Sequence, residues 1–268
     1  MKTNPNCKIN LGLNIVGKRP DGYHNLETVF VPVPLCDELE IERADTFSFV
    51  QEGIELDNEP EDNLCVRAYR LLQDSYPEVG PVSMRLRKNV PFGAGLGGGS
   101  SDAAFTIKML VDMFSLPCTI EEQERYAARI GADCAFFVRN CPAYATGIGD
   151  VLEPLDLDLS PYRLVLLKPD DHVSTKEAYS GIVPKPGVVD LRCAVRKPVG
   201  EWRDIIVNDF EATVFPAHPR IGFLKDYLYR QGALYASMTG SGAAVFGLFD
   251  KAAEVDLGAI PGEEVVLA

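Results

Sequence analysis

Between residues 91 and 104 the chain reads Pro-Phe-Gly-Ala-Gly-Leu-Gly-Gly-Gly-Ser-Ser-Asp-Ala-Ala, with five glycines in the seven positions from Gly93 to Gly99. Glycine lets a backbone turn with its amides aimed at one centre, and a helix that follows adds unpaired N–H groups and the positive end of its dipole. Together they make a cradle for an anion, most naturally a phosphate. A flexible linker fits poorly, because such linkers do not usually stand between a strand and an amphipathic helix.

Three classes of phosphate loop can be weighed against these residues. The Walker A pattern needs Gly-Lys-Ser/Thr, whereas Gly99 is followed directly by Ser100. The dinucleotide fingerprint matches in its letters, Gly93-x-Gly95-x-x-Gly98. It also wants a strand ending in Asp or Glu about 20 residues further on. That stretch opens a helix at Thr119 instead, which makes Glu121 and Glu122 helix-start residues. The HRD and DFG elements of protein kinases are absent.

The loop needs a strand before it and a helix after it, and the pattern supplies both. Residues 82–88 suit a short strand, and Ser101 to Phe114 carries an apolar stripe of Ala104, Ile107, Val111 and Phe114, with Pro117 marking the stop. Thr119 with Glu122 forms a capping box for the next helix, and Gly131 suits its end. Near the N-terminus, Ile9, Leu11, Leu13 and Ile15 alternate with Lys8, Asn10, Gly12 and Asn14, the period of a half-buried strand with Lys8 and Asn10 on its polar face. A turn at Gly17–Gly22 leads into Val29, Val31, Val33 and Leu35, where Pro32 and Pro34 predict an edge or bulged strand. Further strands are expected at 38–43, 46–50 and 163–167, with a helix near 63–74 capped by Asp62 or Asn63. Later come a capping box Ser174…Glu177, helical stretches near 201–208 and 219–231, and a second glycine segment, Gly240-Ser241-Gly242, between strand-like runs. Pro154 and Pro161 bracket an Asp-rich stretch that serves as a candidate boundary between domains 1–156 and 157–268.

At 268 residues, one large domain or two modest ones is the prior, and 46% apolar with 24% charged residues is ordinary globular composition. The net charge of −13 repels polyanions, so neither nucleic acid nor an anionic membrane is expected as a partner. A small anionic substrate stays open, since a local pocket can oppose the global sign. Seven cysteines at irregular gaps, with no CxxC pair, read as reduced thiols of a cytoplasmic protein. No apolar run reaches the ~18 residues of a membrane span. Asn10 and Asn14 break the stretch after Lys2, so a signal peptide is not expected.

The loop Pro91–Ala104 resembles the phosphate loop of the GHMP small-molecule kinases. Lys8-Ile-Asn-Leu resembles that superfamily's first motif, and Met238-Thr-Gly-Ser-Gly-Ala-Ala-Val-Phe246 its third. With Gly17-Lys-Arg-Pro-Asp-Gly-Tyr-His24 and Gly131-Ala-Asp-Cys-Ala-Phe-Phe-Val138, the chain is similar to the branch whose acceptor is the 2-hydroxyl of a cytidine-diphosphate-linked methylerythritol. The resemblance covers residues 7 to about 246 and is specific as a combination, though no single piece would be.

The resemblance implies an α+β, two-layer fold: an N-terminal ribosomal-protein-S5-like domain, a C-terminal ferredoxin-like α/β domain, and an active site in the cleft between them. It also implies ATP as co-substrate, with Pro91, Phe92, Gly93, Ala94, Gly95, Leu96, Gly97, Gly98, Gly99, Ser100 and Ser101 around its phosphates. Asp133 would take the acceptor's proton, with Lys8 orienting it and stabilising the moving phosphoryl group. From sequence alone, Asp133 also reads as a helix cap after Gly131, and Lys8 as an ordinary strand lysine. Asn10, Tyr23, His24, Thr175, Tyr179, Gly240, Ser241 and Gly242 would hold the acceptor, the cytosine lying between aromatic rings. As an alternative, Tyr179 is a core residue of the helix opened by Ser174. Mg²⁺ is implied by ATP chemistry, with Ser100 or Ser101 as possible oxygens, but no carboxylate cluster marks a dedicated metal site. The partner would be a small molecule, and the chain a monomer or homodimer. Two places depart from the branch's pattern: Lys168-Pro-Asp-Asp-His172 replaces a His-Pro-Gly type turn, and Cys7 stands where a small residue is usual. Cys7 reads as a buried side chain, not a nucleophile.

Overall fold

The computed structural model describes residues 1–54, 59–185, 189–255 and, for the backbone alone, 263–267. In chain order the strands are β1 (Lys2–Thr3), β2 (Asn6–Lys18), β3 (His24–Cys36), β4 (Glu38–Arg43), β5 (Ser48–Gly53), β6 (Val82–Lys88), β7 (Ala143–Thr146), β8 (Val151–Pro154), β9 (Tyr162–Pro169), β10 (Tyr235–Met238), β11 (Val245–Asp250) and β12 (Glu263–Leu267). The helices are α1 (Leu64–Ser75), α2 (Gly98–Phe114), α3 (Ile120–Ile130), α4 (Phe136–Arg139), α5 (Thr175–Ala178), α6 (Leu191–Ala194), α7 (Glu211–Ala217) and α8 (Pro219–Arg230). Helices and sheets are mixed as expected for an α+β protein.

The chain forms two compact units. The first comprises Met1–Lys8, Pro34–Phe92 and Gly97–Cys141; the second comprises Ile9–Val33, Gly93–Leu96 and the chain from Pro142 onward. The chain therefore changes unit inside β2, inside β3 and twice inside the glycine loop. Compactness divides the molecule at those places, whereas a cut near residue 156 divides it only by order along the sequence.

In the first unit the strands run in the order β1-β4-β6-β5, with β4 antiparallel and β5 parallel to β6. On β6, Val82, Met84 and Leu86 face inward while Ser83, Arg85 and Arg87 face out. That alternation carries Lys88 to the inward face, where it is 3% exposed. Helix α1 is capped by Asn63, whose side chain accepts from the Cys65 N–H. The capping box at Thr119 and Glu122 is formed in both directions. Helix α2 begins at Gly98, three residues before the expected Ser101, because Gly97 turns at φ +70° and feeds the loop straight into the first helical turn.

In the second unit β9, β10, β11 and β12 form an antiparallel sheet in the order β10-β11-β9-β12. Its core gathers Val165, Leu167 and Val245 from the sheet with Ile221, Leu224 and Leu228 of α8. The expected helix near 201–208 is not formed: residues 203–206 are turn and bend, the Ile205 and Ile206 N–H groups both return to the Trp202 carbonyl, and Asn208 then bridges to Leu13. A third sheet has the order β2-β3-β7-β8. Strand β3 is interior to it, not an edge. Its prolines are accommodated because the pairing with β7 covers Thr28 to Phe30 and ends before Pro32.

Strand β2 corrects the half-buried expectation. Its polar positions Lys8 and Asn10 are 3% and 2% exposed, so both of its faces are covered there. A buried ammonium and a buried amide need partners, and both have them.

Candidate active site

Within the first unit, Lys8 near the start of β2 directs its Nζ to Asp133 Oδ2 at 3.4 Å. Asp133 lies in the 3-10 turn Ala132–Cys134 and caps no helix: the residue flanking that turn is Gly131, and the one flanking α4 is Ala135. The cap-only reading is thereby set aside. The second half of the glycine loop packs against the same lysine, since a Cβ at Gly97 would meet Lys8 Cε at 3.2 Å and Phe137 Cε2 at 3.2 Å. The first turn of α2 follows, with N–H groups that have no intrahelical acceptor and a positive dipole end. A buried cation, a half-exposed carboxylate and a helix start with glycines around it make a place to hold phosphate, offset its charge and accept a proton. Pro91 is buried and Phe92 is an exposed aromatic ring.

Beneath the loop lies a network the sequence did not announce. Lys88 Nζ is bonded to Asp37 Oδ2 and, at 2.6 Å, to Asp102 Oδ2, all three side chains being at most 3% exposed. Asp37 Oδ1 also accepts from the Asn89 and Val90 N–H groups, the two residues that lead into Pro91. Desolvation pushes Asp102 up to about 8 despite the lysine beside it, with Asp37 adding to the rise. Desolvation pulls on Lys88 too, but the two carboxylates outweigh it and hold its ammonium above the ordinary range. Ser101 Oγ and Asp102 Oδ1 are buried without a hydrogen-bond partner. The signal was there in part: Lys88 falls on the apolar phase of β6, and Asp102 follows the glycines after Ser100 and Ser101.

The second unit holds the first half of the loop. The Ala244 N–H donates to the Ala94 carbonyl at 3.3 Å, and Thr239 Oγ1 donates to the Gly95 carbonyl at 3.2 Å. A Cβ at Gly95, where φ is +75°, would fall on the Thr239 carbonyl. Thr239 also bonds the Asn10 N–H at 3.1 Å and the Asn10 side-chain oxygen at 3.2 Å, while Asn10 Nδ2 donates to Thr28 Oγ1 at 3.0 Å. The glycine segment Gly240–Gly242 is the turn between β10 and β11, tied down by Asn208 Nδ2, which donates to the Met238 and Gly240 carbonyls at 2.8 Å each. Leu96 is buried, and Ser241 sits half-buried in the turn. Thr239 falls inside the third motif, Met238–Phe246, but was not among the expected site residues, and Asn208 had no sequence signal.

His24 and Tyr179 meet in the same unit, their rings stacked with centroids 4.8 Å apart and planes at 20°. Tyr179 also meets Phe210 edge-on at 4.7 Å, so it is half core and half surface. Tyr23, just before His24, is 63% exposed. Thr175 is exposed at the start of α5, which Ser174 opens by accepting from the Glu177 N–H at 3.1 Å. The connection from β9 to α5 brings the His172 ring to Gly93, whose Cβ would lie 3.1 Å from His172 Cε1.

All seven cysteines are free thiols. Burial pushes Cys7 up to about 12, which agrees with a packed side chain and excludes a ready thiolate. No group of three or more His, Cys, Asp or Glu residues suited to a metal occurs among the described residues. No helix there is long and apolar enough to cross a membrane.

Two family models match the chain: GHMP kinases N terminal domain over residues 63–140 and GHMP kinases C terminal over residues 191–259. A protein of Bacteroides thetaiotaomicron named 4-diphosphocytidyl-2-C-methyl-D-erythritol kinase is 53% identical over 254 residues, covering 93% of this chain and 92% of its own length. Its namesake in Parabacteroides distasonis is 53% identical over 247 residues, covering 92% of this chain and 91% of its own. A crystal structure described as 4-(cytidine 5'-diphospho)-2C-methyl-D-erythritol kinase superposes with a TM-score of 0.81 at 31% identity, over 92% of this chain and 90% of that one.

Proposed function

The chain belongs to the 4-diphosphocytidyl-2-C-methyl-D-erythritol kinases of the GHMP superfamily, and from that membership we propose a division of labour among its residues. The protein transfers the γ-phosphoryl group of ATP to the 2-hydroxyl of 4-diphosphocytidyl-2-C-methyl-D-erythritol, the kinase step of the non-mevalonate route to isoprenoids. Asp133 takes the proton of the attacking hydroxyl. Lys8 orients that carboxylate and offsets charge on the moving group. The Lys8–Asp133 pair at 3.4 Å, beside the glycines at the head of α2, carries this reading. Phosphoryl transfer is mostly positioning and charge stabilisation, and a buried ammonium acts more strongly there than it would in water.

The nucleotide's phosphates lie along Pro91–Ser101, held by backbone N–H groups and the head of the α2 dipole. The acceptor's cytosine lies against Tyr179 and Tyr23 and is read by His24, with Asn10, Thr175 and Gly240–Gly242 completing its contacts. Base stacking on an aromatic ring is worth about 1–3 kcal/mol. Mg²⁺ fits the residues present: it keeps most of its waters, leans on phosphates and needs one or two protein oxygens, and the unpartnered Ser101 Oγ at the head of α2 is such an oxygen. When bound it neutralises phosphate charge. Residues 1–156 and 157–268 are taken as the family's two modules, and the protein as a cytoplasmic monomer or homodimer.

Asp133→Asn tests the role assignment: ADP release should vanish while ATP binds within a few-fold of the parent protein. Retained kcat in that variant would remove Asp133 from the chemistry.

A further inference from the structure

Residues 169–179 of the second unit end in two contacts that matter for the site. Near one end the His172 ring lies on Gly93 of the phosphate loop; at the other the Tyr179 ring lies on His24. Between them, Val173 and Ala178 are the buried side chains, so apolar packing anchors the segment only lightly. This is also the stretch where Lys168-Pro-Asp-Asp-His172 departs from the branch's turn.

Its polar anchors are Thr213, whose Oγ1 donates to the Ala178 carbonyl at 2.8 Å, and His218, the residue joining α7 to α8. His218 Nδ1 lies 3.1 Å from Asp171 Oδ1, and Nε2 lies 2.9 Å from Glu177 Oε1. Its backbone is fixed by both helices: its N–H donates to the Val214 carbonyl at 2.7 Å, and its carbonyl accepts from the Ile221 N–H at 3.0 Å. A neutral imidazole has one donor nitrogen and one acceptor, so it would turn a lone pair toward one of these carboxylates. Only the imidazolium donates to both.

We propose that charged His218 clamps the β9–α5 segment through Asp171 and Glu177, and is thereby a positioning residue for the cytidylyl part of the acceptor. The clamp grips on both sides of Val173 and sets where α5, and Tyr179 after it, come to rest. The proposal rests on the reading of His24 and Tyr179 as the cytosine site.

The facing charges come from Asp171 in the connection and Glu177 in α5. The bond to Glu177 raises the His218 pKa most; partial burial opposes the rise, and Asp171 adds to it. A histidine raised above its unfolded value stabilises fully below that unfolded value and loses the effect as pH climbs through the folded one. The clamp is therefore closed in mildly acidic solution and opens on the alkaline side.

Two readouts test this on the full-length protein and its His218→Gln variant. The first is amide hydrogen exchange across residues 170–180 without ligand, corrected for intrinsic rates, from about pH 6 to about pH 9. The parent protein should lose protection several-fold as pH rises, whereas His218→Gln should be less protected than the parent at the acid end and flat throughout. Protection that ignores pH in the parent, or profiles that superimpose, would overturn the clamp. The second is steady-state kinetics at the acid end. His218→Gln should raise KM for the cytidylyl acceptor about ten-fold, equivalent to roughly 1.4 kcal/mol. Its kcat and KM for ATP should stay within about two-fold. An unchanged acceptor KM would overturn the positioning role. Tyr179→Ala measured alongside separates the causes: if it too leaves the acceptor KM unchanged, the cytosine site is what was misread, and the exchange data still decide the clamp.

Discussion

The Lys8 ammonium and the Asp133 carboxylate stand 3.4 Å apart in unequal surroundings: the lysine side chain is 3% exposed, the aspartate 34%. A substrate hydroxyl can reach the carboxylate, while the cation behind it is shielded from water. Shielding strengthens the cation's field on a charged phosphoryl group, and access lets the base do its work.

Removing the cation should therefore cost rate more than binding. Lys8→Ala is expected to lower kcat by about 10³-fold, in the range for loss of a preorganised charge-stabilising group. Calorimetry should find ATP affinity changed by only a few-fold. A kcat within ten-fold of the parent would remove Lys8 from transition-state stabilisation.

Gly95 has no room for a side chain, because its φ is +75° and a Cβ would strike the Thr239 carbonyl. Gly95→Ala should displace the loop from the β10–β11 turn and weaken ATP binding at least ten-fold, about 1.4 kcal/mol or more. Gly200→Ala, with nothing within 4 Å of its Cβ, is the matched control and should bind ATP normally. Equal affinities in the two variants would contradict the close approach of Gly95 to Thr239.

The Lys88–Asp37–Asp102 network should respond unequally to its members. Lys88→Met strands two buried carboxylates and should lose about 3–5 kcal/mol of stability in urea titration. Asp102→Asn keeps the shape and removes the costlier charge, so its loss should be far smaller. The sign with pH follows from the raised Asp102 value. A folded pKa above the unfolded one gives stability that is complete below the unfolded value and is lost as pH rises toward about 8. That decline should be present in the parent protein and blunted in Asp102→Asn; matching slopes would show that Asp102 does not titrate there.

The stacked pair of His24 and Tyr179 should carry the acceptor's cytosine. Tyr179→Ala is expected to raise KM for the cytidylyl acceptor by the equivalent of about 1–3 kcal/mol, with KM for ATP unchanged. Tyr179→Phe keeps the ring and should recover most of the loss. Equal effects on both substrates would mean the residue supports the fold and not the base.

Much of this was legible wherever short-range chemistry decides it. The glycines with the helix after them, the Thr119–Glu122 box, the Asn63 cap and the alternation on β6 all depend on neighbours in sequence. Pattern failed where distant segments decide. The period of β2 suggested a solvent face for Lys8 and Asn10, yet Asp133, Thr28 and Thr239, remote in sequence, cover it. Residues near 201–208 read as helical, but the return bonds to Trp202 and the bridge from Asn208 to Leu13 hold 203–208 out of a helix. His218 could not be read at all, since its carboxylates lie 47 and 41 residues away.

The central claim is the transfer itself, and one measurement meets it directly. Purified protein with ATP and Mg²⁺ would be given 4-diphosphocytidyl-2-C-methyl-D-erythritol, mevalonate, homoserine and galactose in parallel, with products followed by phosphorus NMR. A new phosphomonoester at the 2-position of the cytidylyl substrate, and none from the other alcohols, is the expected result. Turnover of another alcohol with none of the cytidylyl substrate would leave the phosphate loop and the fold standing and would contradict the assignment of His24 and Tyr179 to a cytosine.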